Sequence, residues 1–362
     1  MRIGSLFGIE IVVNSSWLFI FALVVWALAS GFVPFQTAEL GAVGRGTLAV
    51  VTALLFFGSV LVHELAHSVV ARTRGVPVSS ITLFIFGGVS HLEGEPPNAP
   101  GEAWIAFVGP LASLMIAALF WLVGRGIGPQ TPAGAGLEYL SAANLMLAIF
   151  NLLPAAPLDG GRVFHALVWR WTGSRLQATR VAGMVGRVLA WIVIAFGIVT
   201  TLMTGLGGGL WLMFIGWYLL QAGSAETMGA EINQALRGLS ASDLMTPPPA
   251  TIPADATADG AFEQVMRYGG RALPVMLGER ILGLLAMRDM DRLGETPRER
   301  AYVTSIMTKL DAIEHAAPED DALSVVRRLA MGGYQQVPVI DEGDRLLGLV
   351  TRESVLRRIA ST

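Results

Sequence analysis

Val62-His63-Glu64-Leu65-Ala66-His67 closes an apolar run that begins at Leu48. From Leu48 to Ala71 the only polar interruptions are Thr52, Ser59, His63, Glu64, His67 and Ser68, and proline is absent. At roughly 1.5 Å per residue, this run predicts a helix long enough to cross a bilayer. His63 and His67 are i and i+4, so both imidazoles leave one helix face and can grip a single metal ion. Glu64 stands one residue away, where its carboxylate can take a proton from a water polarised by that metal. Such groups are costly inside hydrocarbon, which marks them as functional. A buried ion pair or hydrogen-bonded cluster is the alternative.

The 362 residues are 53% apolar and 15% charged, and the charge is unevenly spread. Residues 1–225 carry 18 charged side chains (10 Arg, 7 Glu, 1 Asp) and residues 226–362 carry 35; all nine Trp precede residue 225. The expected organisation is a membrane domain over 1–225, a linker over 226–239, and a soluble domain over 240–362. There is no Cys, so disulfides and thiolate ligands are excluded. A net charge of −3 gives no sign of nucleic-acid binding. The first ten residues lack a basic leader, and Ile11–Ala29 has no clear cleavage site, so it is expected to stay as an anchor.

Around Gly4 and Gly8, residues 2–10 suggest a short hairpin or interfacial segment. Six spans are expected, at about 11–30, 48–71, 103–124, 137–153, 181–203 and 207–222. Arg2, Arg72, Arg74, Arg162, Arg170, Arg175 and Arg180 then fall on one side, against Arg45 and Arg125 on the other. That bias predicts cytosolic termini and a cytosolic soluble domain.

Val78–Leu92 is too short to span. It alternates through Ile81, Leu83 and Ile85 and breaks at Gly87-Gly88, which predicts a strand or hairpin. Such a ribbon is either structural or an edge, over Ile81–Phe86, that pairs with an extended peptide. His91 follows it as a possible third ligand or a solvated side chain. Gly109-Pro110-Leu111 lies in the third span, where Pro frees a carbonyl and Gly permits a close neighbour. The fourth span ends in Asn151-Leu152-Leu153-Pro154-Ala155-Ala156-Pro157-Leu158-Asp159-Gly160-Gly161-Arg162. Two prolines forbid regular helix there, and irregular backbone at membrane depth must line a cavity or pack in protein. Asp159 is the only Asp in the first 242 residues and needs a cation: Arg162 or a metal. Two His and one carboxylate leave a fourth position for water. His165 competes weakly as a ligand.

These residues resemble the site-2 protease family of intramembrane zinc metalloproteases. The resemblance covers residues 1–225 and rests on His63-Glu64-x-x-His67 and on Asn151-x-x-Pro154-x-x-Pro157-Leu158-Asp159-Gly160, with Gly87-Gly88 and Gly109-Pro110-Leu111-Ala112 beside them. It implies that His63, His67 and Asp159 bind one Zn²⁺ and that Glu64 is the general base. Asn151 would steady the substrate backbone. Asn144 matches a second polar position, with a helix–helix hydrogen bond as its alternative role. Where family members often carry Asn, this chain departs with Ser113.

Past the linker, expected to be helical at Ala230–Arg237, the sequence repeats at 62–65 residues. Leu244-Met245-Thr246 recurs as Ile306-Met307-Thr308, Leu273-Pro274-Val275 as Val337-Pro338-Val339, and Gly283-Leu284-Leu285 as Gly348-Leu349-Val350. Each copy reads as strand, helix, strand, strand, helix, so two α/β units should pack together. The pattern resembles a tandem pair of CBS domains, at about 240–297 and 302–360. Such pairs often bind adenine nucleotides, and the family's ribose signature is split here. Asp289 after Arg288 keeps the acid, while Thr351 and Ser354 keep hydroxyls. The alternative is a structural dimerisation module, giving a homodimer.

The expected fold is therefore a polytopic α-helical membrane protein of about six spans with a C-terminal α/β tandem CBS domain. The expected function is a zinc endopeptidase that cuts a transmembrane segment of a single-span membrane protein, with Zn²⁺ as cofactor and lipid around it. The bacterial or archaeal cell membrane is the expected location. A divalent-cation transporter or channel gated by the CBS pair is the alternative. A conduction path should spread polar residues along several spans, and here they cluster at one depth on two.

Overall fold

The computed structural model describes residues 2–30, 40–85, 87–293 and 297–360. The chain divides into two compact units, Met1–Met228 and Gly229–Thr362.

The first unit opens with a hairpin, β1 (Arg2–Leu6) and β2 (Ile9–Val13), turning at Phe7 and Gly8. The expected first span is thus strand before it is helix. Asn14 caps α1 (Ser15–Ala29) by accepting from the Ser16 amide. α2 (Ala42–Thr73) carries the two histidines through 32 residues of continuous helix. β3 (Val78–Phe84) and β4 (Gly87–Leu92) follow. β3 runs parallel to β2 and antiparallel to β4, giving the order β1-β2-β3-β4. Ile9, Val78 and Ile81 pack with Leu65 of α2 in one core, which seats the sheet against the histidine end of that helix. Arg72 ties the two together, donating to the carbonyls of Phe7, Gly8 and Val78 at 2.7–3.0 Å.

Next come α3 (Ala99–Ile127), capped by Asn98 and running through Pro110, and α4 (Pro132–Asn151), capped by Thr131. The proline-rich segment then breaks the helix as expected. α5 (Asp159–Thr172) starts immediately after it and ends at Gly173, whose φ of +68° suits glycine. α6 (Arg175–Thr204) and the part of α7 (Leu206–Leu236) up to Met228 complete the unit. α7 runs from the expected sixth span without a break to Leu236, through the helical part expected of the linker. Among the described residues, α2, α3, α4 and α6 are long and apolar enough to cross a membrane, and α1 is a shorter apolar helix. Their outward faces are apolar, with Leu202 and Met203 each 81% exposed. Apolar faces of that kind suit lipid rather than water.

The second unit contains α8 (Ala241–Leu244), β5 (Ile252–Pro253), α9 (Ala258–Arg267), β6 (Leu273–Leu277), β7 (Arg280–Leu285) and a 3-10 turn at Met287–Leu293. The second copy repeats this with α10 (Val303–Ile306), β8 (Thr308–Lys309), a 3-10 turn at Leu310–Ala312, α11 (Ala322–Met331), β9 (Gln336–Ile340), β10 (Leu346–Thr351) and α12 (Arg352–Ala360). The copies exchange edges. Thr308 of the second pairs with Leu284 of β7, and Thr246 of the first bridges Leu349 of β10. The repeated glycines make this approach possible. A Cβ on Gly283 would overlap the Thr308 carbonyl, and one on Gly348 would press on Met245.

Candidate metal centre

α2 presents His63 and His67 one turn apart, and Asp159 is the first residue of α5. The fold brings them together although 96 residues separate His63 from Asp159. The two Nε2 atoms lie 3.1 Å apart, and Asp159 Oδ2 lies 3.1 Å from His63 Nε2 and 3.2 Å from His67 Nε2. Ligand atoms at the corners of a tetrahedron with bonds of about 2.0–2.1 Å stand roughly 3.3 Å apart, so this spacing suits one small cation.

The far side of each ring is anchored on α3. His67 Nδ1 donates to the Ile105 carbonyl at 2.7 Å, and His63 Nδ1 pairs with the Ser113 hydroxyl at 2.9 Å. A carbonyl only accepts, so His67 carries its proton on Nδ1 and turns the Nε2 lone pair toward the other two groups. Lone pairs and a carboxylate converging in a buried place call for a cation between them. Gly109 of α3 keeps that place clear: a Cβ there would run into His67 Nε2 and lie 2.8 Å from His63 Nε2. The donor set therefore fits zinc, with one position left for water.

Glu64 points to β4 rather than to the ligands. Ser90 donates to its Oε2 at 2.9 Å, and Ser68 donates to Ser90 at 3.0 Å. Oε1 has no partner among the described residues. Gly88 lets the strand pass over this side chain, since a Cβ there would overlap Glu64 Cγ. His63, Glu64, His67 and Asp159 line one cavity of about 680 Å³, walled by apolar side chains of α1 and α2 and by the start of β4.

Other expected residues divide. Asn151, Ile85 and Arg162 line this cavity. Asn144 does not: it is fully buried, and its amide donates to Leu140 of its own helix. Ile81 and Leu83 are 0% and 4% exposed, and β3 is paired on both sides, so it is not an open edge. The open edge on the cavity side is β4. Phe86 lies outside the described residues. His91 sits exposed on β4 beside the Thr82 hydroxyl at 3.2 Å, and His165 faces Glu102, so neither completes the ligand set. Arg162 does not pair with Asp159, whose carboxylate is taken by the two imidazoles. Ser68 and Ser90 went unread in the sequence, because a lone Ser carries no periodic signal. Ser113 holds an imidazole, a polar role that its departure from Asn had obscured.

In the second unit, a cleft of about 640 Å³ is lined by Arg271, Arg288, Tyr334, Thr351 and Arg352 among others. Arg288 stacks 3.8 Å from the Tyr334 ring centre and donates to the Gly333 carbonyl at 2.9 Å. Asp289 is not on the cleft surface. It is 1% exposed and accepts from the Ala286 amide and the Thr308 hydroxyl. Ser354 is likewise buried, exchanging hydrogen bonds with Thr351 at the start of α12. The ribose roles expected of these two are filled by internal caps.

Comparison with known proteins agrees with this layout. Residues 51–130 and 130–196 match Peptidase family M50, and residues 241–294 and 303–361 match the CBS domain. The zinc metalloprotease named Rip3 of Mycobacterium tuberculosis is 35% identical, over 99% of this chain and 92% of its own. One named sll0528 in Synechocystis is 32% identical, over 99% and 94%. Among solved structures, a site-2 protease from Methanocaldococcus jannaschii aligns at 28% identity and TM-score 0.45, over 63% of this chain and 94% of its own. The 35% identity to Rip3 over 99% of the chain, together with the two family matches, identifies the chain as a member of peptidase family M50, the site-2 proteases, with a C-terminal CBS pair.

Proposed function

We propose that this chain is an intramembrane zinc endopeptidase that cuts a transmembrane segment of another membrane protein. The observation that carries it is the convergence of His63, His67 and Asp159 beside Glu64 in one cavity among apolar helices. A zinc ion held by those three residues would polarise the scissile carbonyl and acidify a water. Glu64 takes the proton on Oε1 while Ser90 fixes Oε2, and then passes it to the leaving amine. Asn151, on the cavity wall, steadies the peptide backbone. The relatives are named zinc metalloproteases, and ligand atoms meeting at a single point favour fixed chemistry over a conduction path. Chelation should therefore abolish cleavage by the purified protein, and added zinc should restore it. Cleavage that persists after complete zinc removal would overturn this assignment.

A helix hides its amides, so the substrate must unwind before attack. The open edge of β4 offers main-chain partners to the unwound strand, whatever its sequence. Proline placed in β4 where the amide points away from β3 removes one such donor. Cleavage should fall about tenfold, the worth of one hydrogen bond of roughly 1–1.5 kcal/mol, with zinc retained. Equal activity at every such position would remove β4 from substrate binding. The arginine distribution supports cytosolic termini, in a bacterial or archaeal cell membrane with single-span proteins as substrates.

The CBS pair regulates the protease by binding an adenine nucleotide, and it is also the surface for a homodimer. Arg271, Arg288 and Arg352 supply the cleft with cations for phosphates, and Tyr334 supplies an aromatic face. Calorimetry on the full chain should show binding of AMP or ATP, weakened about tenfold by Arg352→Ala. No heat at millimolar nucleotide would leave the pair a structural module. Binding changes cleavage only if two arrangements of the pair differ in affinity for the nucleotide.

A further inference from the structure

α5 has 14 residues, too few to cross a bilayer, yet its first residue is Asp159. Its place is set by sideways ties. One tie is backbone packing: a Cβ on Gly160 would overlap the Leu152 carbonyl, and one on Gly161 would lie 2.6 Å from Ala155. The other is His165, two turns further along and 9% exposed. Its Nε2 lies 3.1 Å from the Thr179 hydroxyl and 3.3 Å from the Arg175 carbonyl, both on α6. Thr179 donates to that same carbonyl, so it accepts from His165, and Nε2 carries hydrogen. On its other side, Nδ1 lies 3.0 Å from Glu102 Oε1 of α3.

Glu102 is 5% exposed, and its Oε2 makes no hydrogen bond among the described residues. His165 Nδ1 likewise makes no hydrogen bond among the described residues, so the buried carboxylate and the buried ring meet at ion-pair distance. Holding such a pair out of water is expensive unless the fold uses it. Its position on α3 suggests the use. Glu102 stands one turn before Ile105, whose carbonyl holds His67, and Gly109 and Ser113 follow on the same side of the helix against the imidazoles. α3 therefore carries the backs of both histidines and Glu102, while α5 carries Asp159 and His165.

We propose that the Glu102–His165 pair is a register clamp: it fixes α5 along α3 so that the Asp159 carboxylate meets His63 and His67. Glu102 and His165 are positioning residues and touch neither metal nor substrate. This rests on the metal site proposed above. Outer partners of metal ligands are worth about 10–100-fold in affinity, and the clamp acts one shell further out, so the lower end is expected.

The test uses the full-length protein in detergent. Zinc affinity is read by competition with a chromophoric chelator, and ligand geometry is read from the visible bands of the cobalt(II)-substituted protein. Glu102→Ala and His165→Ala should each weaken zinc binding about tenfold and alter the cobalt bands. Glu102→Gln keeps the shape and can donate to Nδ1, so it should restore both readouts toward wild type. Thr179→Val keeps shape but removes the shorter of the two contacts of His165 with α6, and it should shift the bands in the same direction by less. A lowered Tm with wild-type affinity and wild-type bands in the alanine variants would overturn the clamp. If those variants do not fold, unchanged bands and affinity in Thr179→Val overturn it instead. Wild-type protein that binds no zinc would refute the metal site itself, a failure distinct from that of the clamp.

Discussion

Glu64→Gln is expected to keep the zinc and lose the turnover. Gln matches Glu in size, and its amide can still meet Ser90, so the packing of α2 under Gly88 should survive. What disappears is the acceptor that takes a proton from water and returns it to the leaving amine. General acid–base groups contribute roughly 10²–10⁴-fold, and one group serving both half-steps should sit at the upper end. The rate should fall by about 10³-fold or more, while zinc content and substrate capture stay at wild-type levels. Rates near wild type would make Glu64 a structural partner of Ser90 and remove the hydrolytic mechanism.

Asp159→Ala should have the opposite pattern: the metal goes first and activity goes with it. The carboxylate is the one anionic member of the ligand set, and its Oδ2 stands 3.1–3.2 Å from both imidazoles. Without it the set keeps only two neutral imidazoles, and a buried dication loses its one coordinating countercharge. Losses of 10–100-fold are usual for groups behind the ligands, so a direct ligand should cost more than about 100-fold in zinc affinity. Metal analysis after dialysis is the check. Full zinc retention would mean that another group, such as His165 or His91, moves in, against the positions they hold in this fold.

The convergence of His63, His67 and Asp159 was legible because helical spacing and hydrocarbon both leave marks in sequence. His63 and His67 repeat at i and i+4 within an apolar run, and Asp159 is a lone acid after two prolines. The internal repeat of the second unit was equally plain. What could not be read was contact made by small residues across long separations. Ser90 reaches Glu64 over 26 positions, and Ser113 reaches His63 over 50. Nothing local distinguishes either from an ordinary helix or strand serine. Gly109 was legible as a point of close approach, but only the fold shows that the neighbour is an imidazole pair. The hairpin over Val78–Leu92 was legible, but its reading as an open edge over Ile81–Phe86 erred for a topological reason. Val78–Phe84 alternates like an edge strand, yet it is flanked by β2 from the start of the chain, a parallel pairing that local pattern does not announce. Asp289 was misplaced similarly, because a signature acid on a turn can cap its own backbone as readily as it holds a ligand.

The most direct measurement is to reconstitute the purified protein with a single-span membrane protein and locate the cut by mass spectrometry of both fragments. Wild-type protein should cut within the substrate's transmembrane segment, in a zinc-dependent manner, and Glu64→Gln should leave the substrate intact. Cuts confined to the soluble flanks, or cleavage that Glu64→Gln performs equally well, would contradict the account.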